Sequence, residues 1–164
     1  MHKFSEMLRY QLYEMNVDTI PIEKEQRYLQ DYIDLQMLRK DEQYSIAFDP
    51  SPEVHGFLIE PLLLITFVEN AFKHISHHMD KPKFITINMK MINSEFYFEV
   101  ENTKECIEKP AETNSGIGLG NVKRRLKLLY PGHHQLNIID QNNIFKIELT
   151  LNFNSRSWPL AASL

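Results

Sequence analysis

At 164 residues, a formal charge of −4 and 43% hydrophobic content, the chain is sized for one domain with a genuine core, or for such a domain with an appended helical arm. The mild acidity leaves no electrostatic case for a nucleic-acid-coating surface. The longest apolar run, Pro61 to Val68, falls well short of the roughly 18 residues of a membrane helix, and no signal peptide is read at the start. Cys106 is the one cysteine, so no disulfide can form within the chain and a reducing compartment is the simpler expectation.

Residues 3–16 read as a helix, with Phe4, Leu8, Leu12 and Met15 on one stripe. Asn16 to Pro21 breaks it. A second helix is predicted from Ile22 to Lys40, with Leu29, Tyr32 and Ile33 on one side and Glu23, Lys24, Glu25, Arg39 and Lys40 at solvated ends, the charges placed to suit the helix dipole. Tyr44 to Phe48 reads as a short strand closed by Asp49-Pro50-Ser51-Pro52. Pro61 is suited to the first turn of a third helix running to Ile75, because its missing N–H would be unpaired there. Lys83 to Ile92 alternates as a strand, Asn93-Ser94 turns it, and Glu95 to Val100 returns as a hairpin partner. Thr103 to Ser115 is polar and irregular. A fourth helix follows Gly116, Gly118 and Gly120 and ends before Pro131-Gly132. Leu136 to Ile139 and Ile144 to Leu151 form a second hairpin turned at Gln141-Asn142-Asn143. Residues 154–164 carry no pattern and are read as a disordered or vector-derived tail. Helices on one side and antiparallel hairpins on the other make an α+β two-layer sandwich.

Two strings carry chemistry. On the third helix Leu64, Val68, Ala71, Phe72 and Ile75 share a buried stripe, and Thr66, Asn70, Lys73, His74 and His77 a polar one. The Asn70 amide oxygen is a modest Mg²⁺ ligand of the kind that leaves the other positions to water and phosphate. Lys73 can meet a phosphate as a point charge, and Glu69 is placed to orient a metal-bound water or act as a base. The alternative is an amphipathic helix whose polar side faces water. His74, His77 and His78 do not complete a tetrahedral zinc set, since no cysteine or carboxylate cluster joins them. The second string is Gly116-Ile117-Gly118-Leu119-Gly120-Asn121. Alternating glycines permit positive φ and close approach of backbone amides, and the helix start faces an anion with its open N–H groups. It matches neither the Rossmann fingerprint nor a Walker loop, and a structural turn is the competing reading.

The order of these segments resembles the ATP-binding region of sensor histidine kinases of the LytS type. The asparagine box of that branch is matched by Val68 to His74, and its glycine box, Gly-x-Gly-Leu-x-Asn-Val-x-x-Arg-Leu-x-x-Leu-Tyr-Pro, by Gly116 to Pro131. Leu8-Arg9-Tyr10 and Ile20-Pro21-Ile22-Glu23-Lys24-Glu25, then Tyr32 and Arg39, match as well. The resemblance implies the Bergerat-type fold shared with gyrase and MutL, with residues 1–40 as a helical arm from the dimerisation region and 41–153 as the ATP-binding catalytic domain. It implies ATP and Mg²⁺ as cofactors, Asn70 as metal ligand, Glu69 as catalytic residue, and Asn70, Lys73, His74, Asn102, Gly116, Gly118, Gly120 and Asn121 as nucleotide-binding residues. It also implies phosphoryl transfer to a histidine outside this chain, a response regulator as partner and a homodimer in the full-length protein. The location implied is cytoplasmic, on a bacterial inner-membrane protein anchored through segments not in this sequence. The chain departs from the family twice. Nothing matches the phosphoacceptor string Pro-His-Phe-Leu-Phe-Asn, and Val100-Glu101-Asn102-Thr103-Lys104 stands where the family carries Asp-x-Gly-x-Gly. The second departure keeps open a non-catalytic module used for dimerisation or regulator docking.

Overall fold

The computed structural model describes residues 17–39, 45–75, 82–105 and 117–153. The helix expected over 3–16, Gly116, His77, His78 and the tail lie outside them. Among the described residues three helices, α1 (Ile22–Arg39), α2 (Ile65–His74) and α3 (Ile117–Leu129), accompany seven strands: β1 (Ile20–Pro21), β2 (Ser45–Pro50), β3 (Leu58–Ile59), β4 (Phe84–Ile92), β5 (Glu95–Thr103), β6 (His134–Gln141) and β7 (Ile144–Asn152).

Five strands form one sheet in the order β2-β4-β5-β7-β6, and β1 pairs with β3 in a separate antiparallel ribbon. Both expected hairpins are present, and they join through the antiparallel β5–β7 ladder. β2 adds to the outer edge of β4 in parallel. Asn93 and Ser94, the turn of the first hairpin, both hold positive φ, 50° and 63°. That is the mirror-image turn whose twist matches the flanking strands.

Period-two alternation decides which face is covered. Ile85, Ile87 and Met89 of β4, Phe96, Phe98 and Val100 of β5, and Ile147, Leu149 and Leu151 of β7 are all buried. They join one core with Leu29 and Ile33 of α1, Phe67, Val68, Ala71 and Phe72 of α2, and Leu119, Val122 and Leu126 of α3. The opposite face is polar. There Asn88 Nδ2 donates to Glu99 Oε1 at 3.1 Å, and Lys146 Nζ lies 2.8 Å from Glu99 Oε2 and 3.1 Å from Glu148 Oε1. The result is the α+β two-layer arrangement. α1, assigned by sequence to the arm, packs into the same core as the sheet.

Two boundaries differ from expectation. α2 begins at Ile65 rather than Pro61, because Leu62 takes φ 56°, a left-handed conformation that no right-handed helix continues. Glu25 is not at a solvated end: its side chain is fully buried and accepts the N–H groups of Leu62 at 3.1 Å and Leu64 at 3.0 Å.

Candidate functional site

The site is built on three packed elements: α2, which lies on β5, and α3, which lies on α2. The two stripes read on α2 are both present. Leu64, Val68, Ala71, Phe72 and Ile75 are buried, while Thr66 and Asn70 are half-buried and Lys73 and His74 exposed. Phe67 fixes the helix to the sheet, its ring centroid 6.0 Å from that of Phe98 on β5. The apolar side is thus spent on the core, and the side that carries Asn70 is left to face outward.

The glycine helix meets that same polar side. A Cβ placed on Gly118 would lie 3.7 Å from Thr66 Cγ2, and Thr66 stands one turn before Asn70. The fourth helix does not follow Gly118 and Gly120 but contains them: α3 starts at Ile117, so both lie in its first turn, and among the described residues the glycines with positive φ are Gly56 and Gly132. Among the described residues neither close packing nor φ demands a glycine: 3.7 Å is an ordinary contact, and none of them lies within 4 Å of a Cβ at Gly120. Ile117 to Gly120 carry the N–H groups that a helix start leaves without intrahelical partners. Asn121 follows, exposed, on the second turn.

Asn102 is the third component. It pairs across β5 with Ile85 of β4 and Phe145 of β7, and it continues the Phe96, Phe98, Val100 series toward the helical layer. It is 1% exposed. Its Nδ2 donates to the Thr103 carbonyl at 3.0 Å, and its Oδ1 is buried without a hydrogen-bond partner among the described residues. The Thr103 contact fixes the amide's orientation, since a flipped amide would set two oxygens against each other. An acceptor is therefore presented to whatever approaches. A buried acceptor with nothing to accept costs on the order of 1–3 kcal/mol, so the position fits an incoming N–H donor. Glu101, one residue away, points to the opposite face of the sheet and cannot substitute.

Electrostatics around Asn70 are mixed. Glu69 is exposed beside it, and desolvation against the helix surface raises its pKa above the ordinary carboxylate value. His74 is lowered from 6.5, first by desolvation and then by the neighbouring Lys73 charge. No group of three or more His, Cys, Asp or Glu side chains able to hold a metal occurs among the described residues. A cation here would rest on an amide oxygen and on oxygens brought by its ligand, which suits Mg²⁺ rather than zinc.

Sequence reasoning missed the side chains that hold this frame. Arg125 of α3 donates through Nη2 to the Pro61 carbonyl at 2.9 Å and to Glu60 Oε1 at 3.3 Å, and through Nη1 to the Leu62 carbonyl at 3.3 Å. The buried Tyr130 hydroxyl accepts the Glu60 N–H at 3.1 Å. The available signal was Glu25, which falls at helical spacing between Ile22 and Leu29 on the buried stripe of α1.

Among known proteins, a model of the histidine kinase family matches residues 1–44. The sensor protein LytS of Staphylococcus saprophyticus is 23% identical over 164 aligned residues, which take in 93% of this chain and 28% of the relative. The LytS sensor protein of Staphylococcus haemolyticus is 27% identical over 139, covering 78% of this chain and 24% of the relative. The chain thus spans under a third of the length of the curated relatives it matches. Among solved structures it resembles the histidine kinase domain of the Erythrobacter litoralis EL346 blue-light activated histidine kinase, with TM-score 0.62 and 14% identity over 92% of this chain and 73% of that one. The catalytic domain of histidine kinase ThkA gives TM-score 0.57 and 14% identity over 82% and 94%. At such identities the structural likeness is one of fold: the Bergerat-type sandwich of kinase catalytic domains. The family model, the sensor-kinase relatives along most of the chain and this architecture agree: the chain is similar in sequence to LytS-type sensor histidine kinases and in fold to histidine kinase catalytic domains.

Proposed function

We propose that residues 41–153 bind ATP with Mg²⁺ between the polar side of α2, the first turn of α3 and the Asn102 end of β5, and that α1 ties this unit to the helical arm. The observation that carries the reading is Asn102 Oδ1, buried and unpaired among the described residues, which fits the exocyclic amino group of adenine. Two further facts support it. The first turn of α3 contains two glycines that the fold does not require, and Asn70, Lys73 and His74 share one side of α2. In this assignment Asn70 holds the metal, Lys73 and His74 neutralise phosphate oxygens, Glu69 orients water or takes a proton, and the Gly116–Asn121 segment offers its amides to the phosphates. Bound Mg²⁺ would supply charge neutralisation of the transferring phosphoryl group. The acceptor is a histidine outside these residues, and the full-length protein works as a membrane-anchored dimer that passes the phosphoryl group to a response regulator.

Calorimetric titration with a non-hydrolysable ATP analogue and Mg²⁺ tests the reading, with micromolar-to-millimolar binding expected. Asn102→Ala removes the acceptor and is expected to weaken binding several-fold, about 1 kcal/mol. Asn102→Asp provides a charged acceptor and is expected to tighten binding by a similar factor. The free Asn102→Asp protein should melt at a lower temperature, because the new carboxylate is buried beside the Thr103 carbonyl. No heat at millimolar ligand in wild type and no gain with Asp would leave the second reading, a non-catalytic module. The substituted adenine box and the use of the Asn102 amide inside the fold favour that alternative.

His74 gives a pH test. Its lowered pKa keeps it neutral at pH 7–8 in the free protein, and a polyphosphate beside it favours the imidazolium. Binding therefore takes up a proton, and affinity should rise as pH falls from about 8 to about 6. The comparison with His74→Gln removes the nucleotide's own titration. Parallel pH profiles for the two proteins would show that His74 does not face the phosphates.

A further inference from the structure

The first turn of α1 follows the segment 54–64 almost residue by residue. Gln26 Nε2 donates to the Val54 carbonyl at 3.0 Å, the Gly56 N–H to Glu23 Oε1 at 2.7 Å, and the Ile22 N–H to the Phe57 carbonyl at 3.0 Å. Ile20 and Pro21 pair with Ile59 and Leu58. The series ends at Glu25, whose two oxygens receive the N–H groups of Leu62 and Leu64. Leu64 is the N-cap residue of α2 and supplies no capping side chain. A carboxylate from another helix therefore does the cap's work at the positive end of α2.

Arg125 holds the same turn from the other side. It grips the Pro61 and Leu62 carbonyls and the Glu60 carboxylate. The Leu62 and Leu64 donors go to α1, and the Pro61 and Leu62 acceptors go to α3. Between the two grips Leu62 keeps φ 56°, which a leucine adopts only where its surroundings impose it. Both grips are charge-assisted, and the arginine fork is geometrically fixed, so the turn has little slack relative to either helix.

The geometry points to Glu25 as a positioning residue for the nucleotide site. Through the 60–64 turn it sets how α2, which carries Asn70, lies against α3, which carries Gly118. A displacement of α1 is thereby passed to two walls of the site. The consequence for binding rests on the proposed nucleotide reading; the linkage itself is a property of the free protein.

Amide and side-chain resonances of the whole chain, recorded without ligand, test the linkage. Glu25→Gln replaces one acceptor by a donor. It is expected to shift the Gly118 and Gly120 amides and the Asn70 side-chain amide. A local capping role would confine the changes to residues 60–66, and that outcome overturns the proposal. Arg125→Gln, on the half-exposed side, is read in the reverse direction: shifts at Ile22 and Gly56 are expected, and their absence overturns it. It decides alone if Glu25→Gln does not fold. Titration of the same samples with the Mg²⁺–ATP analogue is expected to show about five- to tenfold weaker binding by folded Glu25→Gln. A merely structural residue would lower the melting temperature and leave that affinity unchanged, which would overturn the role in positioning. If wild type binds no nucleotide, the nucleotide reading fails, while the ligand-free shifts still decide whether Glu25 links α1 to α3.

Discussion

Asn70→Ala is expected to remove the Mg²⁺-dependent part of nucleotide binding. In wild type, titration with the ATP analogue should be markedly tighter with Mg²⁺ than with a chelator present. In the variant the two isotherms should coincide. The loss corresponds to about 2–3 kcal/mol, or roughly 30- to 150-fold in affinity, for an oxygen that contacts a cation. The fold provides the control. Asn70 is half-buried on the side of α2 that turns away from the core, and alanine is the better helix former, so the melting temperature should hold or rise slightly. A variant that melts normally and still binds the Mg²⁺ complex as wild type does would remove Asn70 from the metal site.

The placement of these side chains on their elements was readable in advance because it is local. The two stripes of α2 follow from a 3.6-residue period, and the direction of Asn102 follows from period-two alternation anchored by Phe96, Phe98 and Val100. The first hairpin follows from a two-residue Asn93-Ser94 turn that accepts positive φ. What was not readable depends on partners far along the chain. Pro61 suits a helix start, yet α2 waits for Ile65 because Glu25, 37 and 39 residues upstream, captures the Leu62 and Leu64 amides. Arg125 reaches carbonyls 63 and 64 residues before it. The start of α3 differs for another reason: alternating glycines were read as preceding the helix, but nothing in their backbone excludes Gly118 and Gly120 from it, and both rest in an ordinary helical turn. The register β5 needs to place Asn102 is imposed by ladders on both sides, which no single strand states by itself.

That register carries the second large expectation. Phe98→Ala should destabilise the protein by about 3–5 kcal/mol, the usual cost of deleting a buried aromatic ring, whereas Tyr97→Ala, one residue away, should cost little. Phe98 is 1% exposed on the central strand. Its ring stands 6.0 Å from Phe67 of α2 and 6.5 Å from Phe96, and its cross-strand partners Met89 and Leu149 are buried as well. The backbone around the cavity is held by ladders on both sides, so the hole cannot close by collapse. Tyr97 points to the open face, where its hydroxyl meets Glu95. Against a total stability of about 5–15 kcal/mol, Phe98→Ala should lower the melting temperature by roughly 10–15 °C. Equal shifts from the two substitutions would mean that β5 is turned over, and Asn102 with it. Because Phe67 and Phe98 together seat α2 on the sheet, the cavity also frees the helix that carries Asn70. Nucleotide affinity in Phe98→Ala should therefore fall at temperatures well below its melting point, while Tyr97→Ala binds as wild type does.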